Sequence, residues 1–468
     1  MEDTIVLYPS PGIGHLVSTV ELGKLILTHQ PSFSIIIFIT DAPYNTGTTG
    51  PYISRVSATC PSITFHHLPT ISPPPKFTFF EDLAFEVPRL NNPNVHQALQ
   101  TISQKSKLKA FIIDFFCNAS FEVSTSLNIP TYYFYTSGAF VLTIFFYLPT
   151  IDKTTTGIKD LSYVEVPGAP PLSPSAFPEV FLHRNSVGYK NFVDTANNMA
   201  KSSGIITNTF ESLEPRAVKA ISEGKCITNG PTPPVYYIGP LIASNAKTNA
   251  KSGSEDECLT WLNSQPSQSV VFLCFGSNGV FIEEQLKEMA VGLENSGNRF
   301  LWVVRSPPTN DKASSTSSEP DLDALLPEGF LERTKDRGLV VKAWAPQLDV
   351  LSHDSVGGFV THCGWNSVLE AVCSGVPMVT WPLYAEQRLN RVFLVEEMKV
   401  ALPLDESEDG FVSSAELERR VRELMDSESG KAVRDQVKAM RDEARAALAE
   451  NGSSRVALER LTESWKQG

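Results

Sequence analysis

Short runs of β-branched and aromatic residues recur along this chain, separated by stretches with helical hydrophobic period. In the first half, residues 4–8, 34–40, 110–113 and 131–135 are almost continuously apolar, the signature of strands buried on both faces. The second half repeats the style at 269–275, 300–304, 339–342, 358–361 and 377–381. Helical periods intervene at 16–29, 283–295 and 366–374. Strands alternating with helices predict parallel sheets covered on both faces, with ligands at the carboxyl ends of the strands. The expected fold is α/β, with two Rossmann-like domains facing a cleft.

A division falls near the middle. The first domain spans 1–241 and closes on Val235-Tyr-Tyr-Ile-Gly-Pro-Leu241; an Asn-, Ser-, Lys- and Ala-rich linker is expected over 242–255. The second domain covers 256–450, with a polar, mobile loop expected at 306–320. From Ser413 onward the chain is charged and helix-forming. Gly452 interrupts it, and a last short helix occupies 451–468.

The charge narrows the function. Thirty-nine Lys and Arg against fifty-two Asp and Glu give a net charge of −13, a poor match for nucleic acid or an anionic membrane. The most apolar helical stretch, 139–148, falls short of the roughly 20 residues that span a bilayer. The acidic opening, Met-Glu-Asp-Thr, runs into a strand pattern and does not resemble a signal peptide. The seven cysteines form no C-x-x-C pair, so a reduced, cytoplasmic, monomeric protein is expected. Neither H-x-x-x-H nor H-E-x-x-H occurs, and no metal site is expected. Gly12-Ile-Gly14 lacks the third glycine of a dinucleotide fingerprint, which disfavours an NAD-dependent oxidoreductase.

Two constellations carry chemistry. In the first, His362-Cys-Gly-Trp-Asn-Ser367 follows a strand and opens a helix, whose exposed N–H groups and partial positive charge suit a pyrophosphate. Asn366, Ser367 and the His362 ring add donors there, and Glu370 can accept from ribose hydroxyls. Taken singly, Asn366 reads equally as a cap and Glu370 as a surface acid. The second constellation pairs His15, after the Gly-rich turn Pro9-Ser-Pro-Gly-Ile-Gly14, with Asp114 at a strand end. A neutral imidazole can take a proton from a hydroxyl, and a buried carboxylate on its far nitrogen fixes the tautomer.

The segment from Trp344-Ala-Pro-Gln347 through Glu386-Gln387, with Gly375, Pro377 and Trp381-Pro382 inside it, resembles the signature box of plant family-one UDP-sugar glycosyltransferases. The likeness extends from Pro9 to the terminal helix. It points to the flavonoid- and phenol-glycosylating branch through Leu326-Pro-Glu-Gly-Phe-Leu-Glu-Arg333. The resemblance implies a GT-B fold, with the terminal helix packing back on the first domain. It assigns Trp344 to stacking on uracil, and the Ala345 backbone and Gln347 to base and ribose. Glu370 takes the ribose hydroxyls, while His362, Gly364, Asn366, Ser367 and, from another wall, Ser277 take the phosphates. The Trp365 backbone, Glu386 and Gln387 take the sugar. Thr136 lies near the sugar's outer hydroxyl or caps a helix. Phe116 and Tyr384 resemble walls of an acceptor pocket, with Phe115 reading equally as core.

The implied activity is inverting glucosyl transfer from UDP-glucose, as co-substrate and without metal, to a hydroxyl of a small phenolic acceptor such as a flavonoid, isoflavonoid or dihydrochalcone. His15 is the implied base and Asp114 its orienter. Gln387 accompanies glucose in the family, and Trp365 stands where glucuronate-using members carry arginine. C-glucosylation of a phenolic ring is the rival within the chemistry, since Asn278 and Val280 depart from the commoner residues. A UDP-sugar-binding protein without catalysis is the rival from another class.

Overall fold

The computed structural model of the chain describes residues 2–42, 49–72, 77–243, 253–308 and 319–466. Most of the linker expected at 242–255 and of the loop expected at 306–320 lies outside them. The chain forms two compact units, Met1–Ala243 with Ala446–Gly468, and Ser244–Arg445. The chain re-enters the first unit at Ala446, five residues before the boundary read from Gly452.

In the first unit, apolar runs became strands because neighbours cover both of their faces. β1 (Asp3–Tyr8) buries every side chain after Asp3. It is followed by β2 (Ser34–Ile39), β3 (Ile63–His67), β4 (Lys107–Asp114), β5 (Thr131–Tyr135), β6 (Gly204–Thr207) and β7 (Val235–Tyr237). All pair in parallel, in the order β3-β2-β1-β4-β5-β6-β7. The strand order reverses at β1 and β4, which leaves a crevice beyond their carboxyl ends. The helix Ser453–Lys466 belongs to this unit: Trp465 sits 6.2 Å from Phe33 and 5.9 Å from Tyr132, ring centre to ring centre.

The second unit contains β8 (Val270–Cys274), β9 (Arg299–Val304), β10 (Gly338–Lys342), β11 (Val356–Thr361), β12 (Met378–Thr380) and β13 (Ala401–Pro403). They too are parallel, in the order β10-β9-β8-β11-β12-β13. This is the doubly wound order that binds nucleotides where the order reverses, here between β8 and β11. The helix Glu283–Ser296 stops at Gly297, whose φ of 72° suits a residue without Cβ. Each unit is therefore a Rossmann-like, helix-flanked parallel sheet. No helix among the described residues is long and apolar enough to cross a membrane.

The strands β3, β6, β7 and β13 do not stand out in the sequence. Each has three to five residues, too few for a period to emerge, and their pairing partners supply most of their definition.

Candidate active site

At the first unit's reversal point, β1 leads through Gly12 into the helix Ile13–His29, and β4 ends on Asp114. Because β1 and β4 are paired neighbours, His15 and Asp114 meet although 99 positions separate them. The His15 Nδ1 lies 2.7 Å from Asp114 Oδ2, while Asp114 Oδ1 accepts the Phe116 N–H at 3.1 Å. With both oxygens engaged and its side chain 1% exposed, the carboxylate is fixed in place. It selects the tautomer with hydrogen on Nδ1, so Nε2 carries the lone pair that can accept a proton. The His15 side chain is 30% exposed, so the ring is held on one side and open on another.

Thr136 belongs to this cluster. Its hydroxyl lies 3.3 Å from His15 Nδ1. It does not cap the following helix, Ala139–Thr154, whose N-cap is Gly138. The first N–H groups of that helix go instead to Glu214, which accepts from Ala139 at 2.8 Å and Phe140 at 2.6 Å. Burial pushes the Glu214 carboxyl up to about 7. Nothing in the sequence around Glu214 signals this long-range cap, since its partners lie some 75 positions earlier.

Aromatic rings border the imidazole. Phe115 and Phe116 are centred 6.1 and 6.0 Å from it, and Phe116 packs edge-on against Phe85 at 4.8 Å. Both are partly exposed. An apolar wall beside a proton acceptor suits a planar hydroxylated ring.

In the second unit, the carboxyl ends of β8 and β11 carry Gly276-Ser277 and His362-Cys-Gly364. The helix Trp365–Ser374 starts there with Gly364 as its N-cap and no side-chain cap, so its positive end is available to an anion. The His362 ring lies against two glycines: a Cβ on Gly276 would come within 2.7 Å of Nε2, and one on Gly364 within 2.5 Å. A side chain at either position would displace the ring. Burial lowers the His362 pKa to about 4, and its Nδ1 is buried with no hydrogen-bond partner among the described residues. The ring is therefore neutral and offers hydrogen bonding rather than positive charge.

Gln347 joins two other predicted donor residues, its Nε2 donating to Ser367 Oγ at 2.9 Å and to Glu370 Oε2 at 2.6 Å. Burial raises the Glu370 carboxyl to about 7, partly offset by that bond. Trp344 follows β10 with its side chain 48% exposed, and the backbone turns at Ala343 through a φ of 62°. An indole this open to solvent is free to stack on a base. Ala345 is buried beside it. Ser277 is exposed, and its carbonyl accepts from Arg305 Nη1 at 2.7 Å. Asn366 and Glu386 are partly exposed at the starts of their helices.

At two of the residues expected near the sugar, the structure shows what the side chains do. Gln387 is buried, and its Oε1 accepts from the backbone N–H groups of Leu383 at 2.8 Å and Tyr384 at 3.0 Å, so its carbonyl shapes the loop and only its amide NH₂ remains for a sugar. The Trp365 indole is 4% exposed and lies 6.2 Å from the Phe393 ring. It faces the interior. Tyr384 is 41% exposed, 6.2 Å from the His362 ring.

Sequence reasoning also missed Asn390, a buried side chain whose Nδ2 donates to the Cys363 carbonyl at 2.9 Å and so braces a residue at φ 67° between His362 and Gly364. Among the described residues, no group of three or more His, Cys, Asp or Glu is placed to hold a metal ion.

The chain is similar to known proteins along nearly its whole length. A family model described as "UDP-glucoronosyl and UDP-glucosyl transferase" matches residues 231–440. The chain is 55% identical to an anthocyanidin 5,3-O-glucosyltransferase of a Rosa hybrid cultivar, over 99% of each chain. It is 54% identical to a baicalein 7-O-glucuronosyltransferase of Scutellaria baicalensis, over 92% of this chain and 96% of that one. Among solved structures, Phytolacca americana UGT2 complexed with UDP-2fluoro-glucose and pterostilbene superposes with a TM-score of 0.87 at 37% identity, covering 99% of this chain and 100% of that one. Sharing more than half its residues with such enzymes along nearly its whole length, on two Rossmann-like units, the chain belongs to the UDP-glycosyltransferase family.

Proposed function

We propose that this enzyme transfers glucose from UDP-glucose to a hydroxyl of a small phenolic acceptor of the flavonoid type, with inversion at the anomeric carbon and without a metal. The observation that carries the mechanism is the 2.7 Å contact between His15 and Asp114. His15 Nε2 takes the phenolic proton, the phenolate oxygen attacks the anomeric carbon, and the bond to UDP breaks in the same displacement. Asp114 holds the Nδ1 hydrogen and stabilises the imidazolium that forms. A phenol, with a pKa near 10, needs only partial help from such a base.

The donor's handling follows from the second unit. Trp344 stacks on uracil, Glu370 and Gln347 take the ribose, and the N-terminus of the helix Trp365–Ser374 with Ser367, Asn366 and Ser277 takes the diphosphate. Glu386, the Trp365 backbone and the Gln387 amide hydrogens meet the sugar hydroxyls, with Thr136 as a further hydroxyl near the base. Phe116 flanks the acceptor. Since no arginine from position 365 faces a sugar carboxylate, UDP-glucose is the expected donor and UDP-glucuronate a poor one.

An acceptor panel offered equal UDP-glucose, UDP-galactose and UDP-glucuronate, with products read by mass spectrometry and acid treatment, tests this reading. Acid-labile β-glucosides are expected. Dominant glucuronides would overturn the donor assignment, and acid-stable products would show transfer to carbon instead.

A further inference from the structure

A second polar cavity lies within the Ser244–Arg445 unit, at the opposite strand ends from His362. Its volume is about 320 Å³, and it is walled by Gln268 before β8, Val356 at the start of β11 and Pro377 before β12. Four cations from one helix, Glu428–Leu448, line it: Arg434, Lys438, Arg441 and Arg445. Their spacing sets them along one side of that helix, beside the stripe of Val433, Val437 and Ala444 that buries it. The apolar stripe therefore fixes where the cations point.

Packing and pairing do not account for this charge. The acids nearby are Asp354, in the wall, and Asp442, whose Oδ1 lies 3.1 Å from Arg441 Nε and 3.6 Å from Arg445 Nη1. The C-terminus of the helix Trp365–Ser374 adds a partial negative charge of about one half. Four cations thus exceed these groups by about one and a half charges, in a chain whose net charge is −13. Arg434 spends Nη2 on the Leu424 carbonyl at 3.1 Å, while its Nε is buried without a hydrogen-bond partner. Lys438 has no ion pair or hydrogen bond among the described residues. The Arg441 side chain lies on Gly375, where a Cβ would approach its Cδ to 3.2 Å and Nη1 to 3.3 Å. With φ at 73°, Gly375 both ends its helix and makes room for the guanidinium. Hydroxyls of Ser352 and Ser374, 3.4 Å apart, add neutral donors to the same wall.

We propose that this cavity is a binding site for a small phosphate-type polyanion, such as a diphosphate or the phosphoryl end of a metabolite, separate from the site for UDP-sugar. Guanidinium forks supply paired donors to phosphoryl oxygens, and Lys438 supplies a point charge. Titration calorimetry with inorganic pyrophosphate and with glucose 6-phosphate, on the full chain saturated with UDP, tests it; UDP keeps either probe out of the donor site. One equivalent of one probe is expected to bind, more weakly as salt rises. Lys438→Ala with Arg441→Ala should weaken binding at least tenfold, with UDP affinity and glucosyl transfer unchanged. If that double variant melts early, the single change Lys438→Gln should still weaken binding at least threefold. Binding of pyrophosphate alone would identify an inorganic ligand, and stronger binding of the sugar phosphate a metabolite. Absence of binding by both probes, or binding within twofold of normal in the variants, would overturn the proposal.

Discussion

Replacing Asp114 by asparagine separates the charge of the His15–Asp114 pair from its shape. The carboxylate serves two donors, His15 Nδ1 on Oδ2 and the Phe116 N–H on Oδ1. Asparagine has one acceptor oxygen, so one of these donors loses its partner. If the oxygen turns to His15, the tautomer survives and the loss is the attraction between imidazolium and carboxylate. At about 4 Å between charge centres and an effective dielectric of about 20, that attraction is about 4 kcal/mol. The His15 side chain is 30% exposed, and solvent reduces the figure to about 2–3 kcal/mol, or about 30- to 150-fold in rate. If the oxygen stays on Phe116, the amide hydrogens face Nδ1, the ring hydrogen moves to Nε2, and the whole general-base contribution of about 10²–10⁴-fold is lost.

The assay is kcat/KM over phenols of graded acidity, with UDP affinity and the melting temperature measured alongside. The loss should be largest for the least acidic phenol and shrink as the acceptor's own pKa falls, because a partly ionised phenol needs less base. UDP affinity should not change. A loss below threefold, or an equal loss for every phenol, would refute the charge argument. A sharp fall in melting temperature would assign Asp114 a structural role instead.

Four further outcomes are expected. His15→Ala should lower turnover of a weakly acidic phenol by about 10²–10⁴-fold while calorimetry shows unchanged UDP affinity; undiminished turnover would remove His15 from the mechanism. Glu370, raised by burial to about 7, accepts from two ribose hydroxyls with both oxygens only when ionised. UDP binding should therefore release a proton near pH 7, and the dissociation constant of UDP should rise as pH falls below 7, by at most tenfold per unit; calorimetry in buffers of different ionisation enthalpy detects the proton. Activity should persist in EDTA, since the proposed phosphate ligand is the helix N-terminus at Trp365; activity restored only by Mn²⁺ or Mg²⁺ would contradict this. Trp365→Arg should destabilise the protein by about 3–5 kcal/mol, seen in thermal melting, because it exchanges a buried indole packed near Phe393 for a charge; a stable variant that gained UDP-glucuronate use would show that this side chain can reach the sugar.

The amino-acid sequence alone was enough to place the two parallel sheets and both candidate sites. Runs such as 35–39 and 270–274 are apolar at every position because their strands are covered on both faces, and that pattern is visible without coordinates. Within Trp344–Gln387 a helix start, glycines and polar side chains lie close together in the chain, so a candidate phosphate-binding turn is legible there, and the family resemblance supplies the sugar nucleotide. Tertiary structure decided which atoms meet. His15 and Asp114 come together only because β4 pairs with β1 at the point where the strand order reverses. Packing also settled directions: Trp365 turns inward, Gln387 spends its oxygen on its own loop, and Glu214 rather than Thr136 caps the helix at Ala139. Burial of His362 and Glu370 moved their proton affinities in opposite directions, His362 down and Glu370 up. Residue types set what a side chain can do, but desolvation and long-range partners depend on surroundings assembled from distant segments.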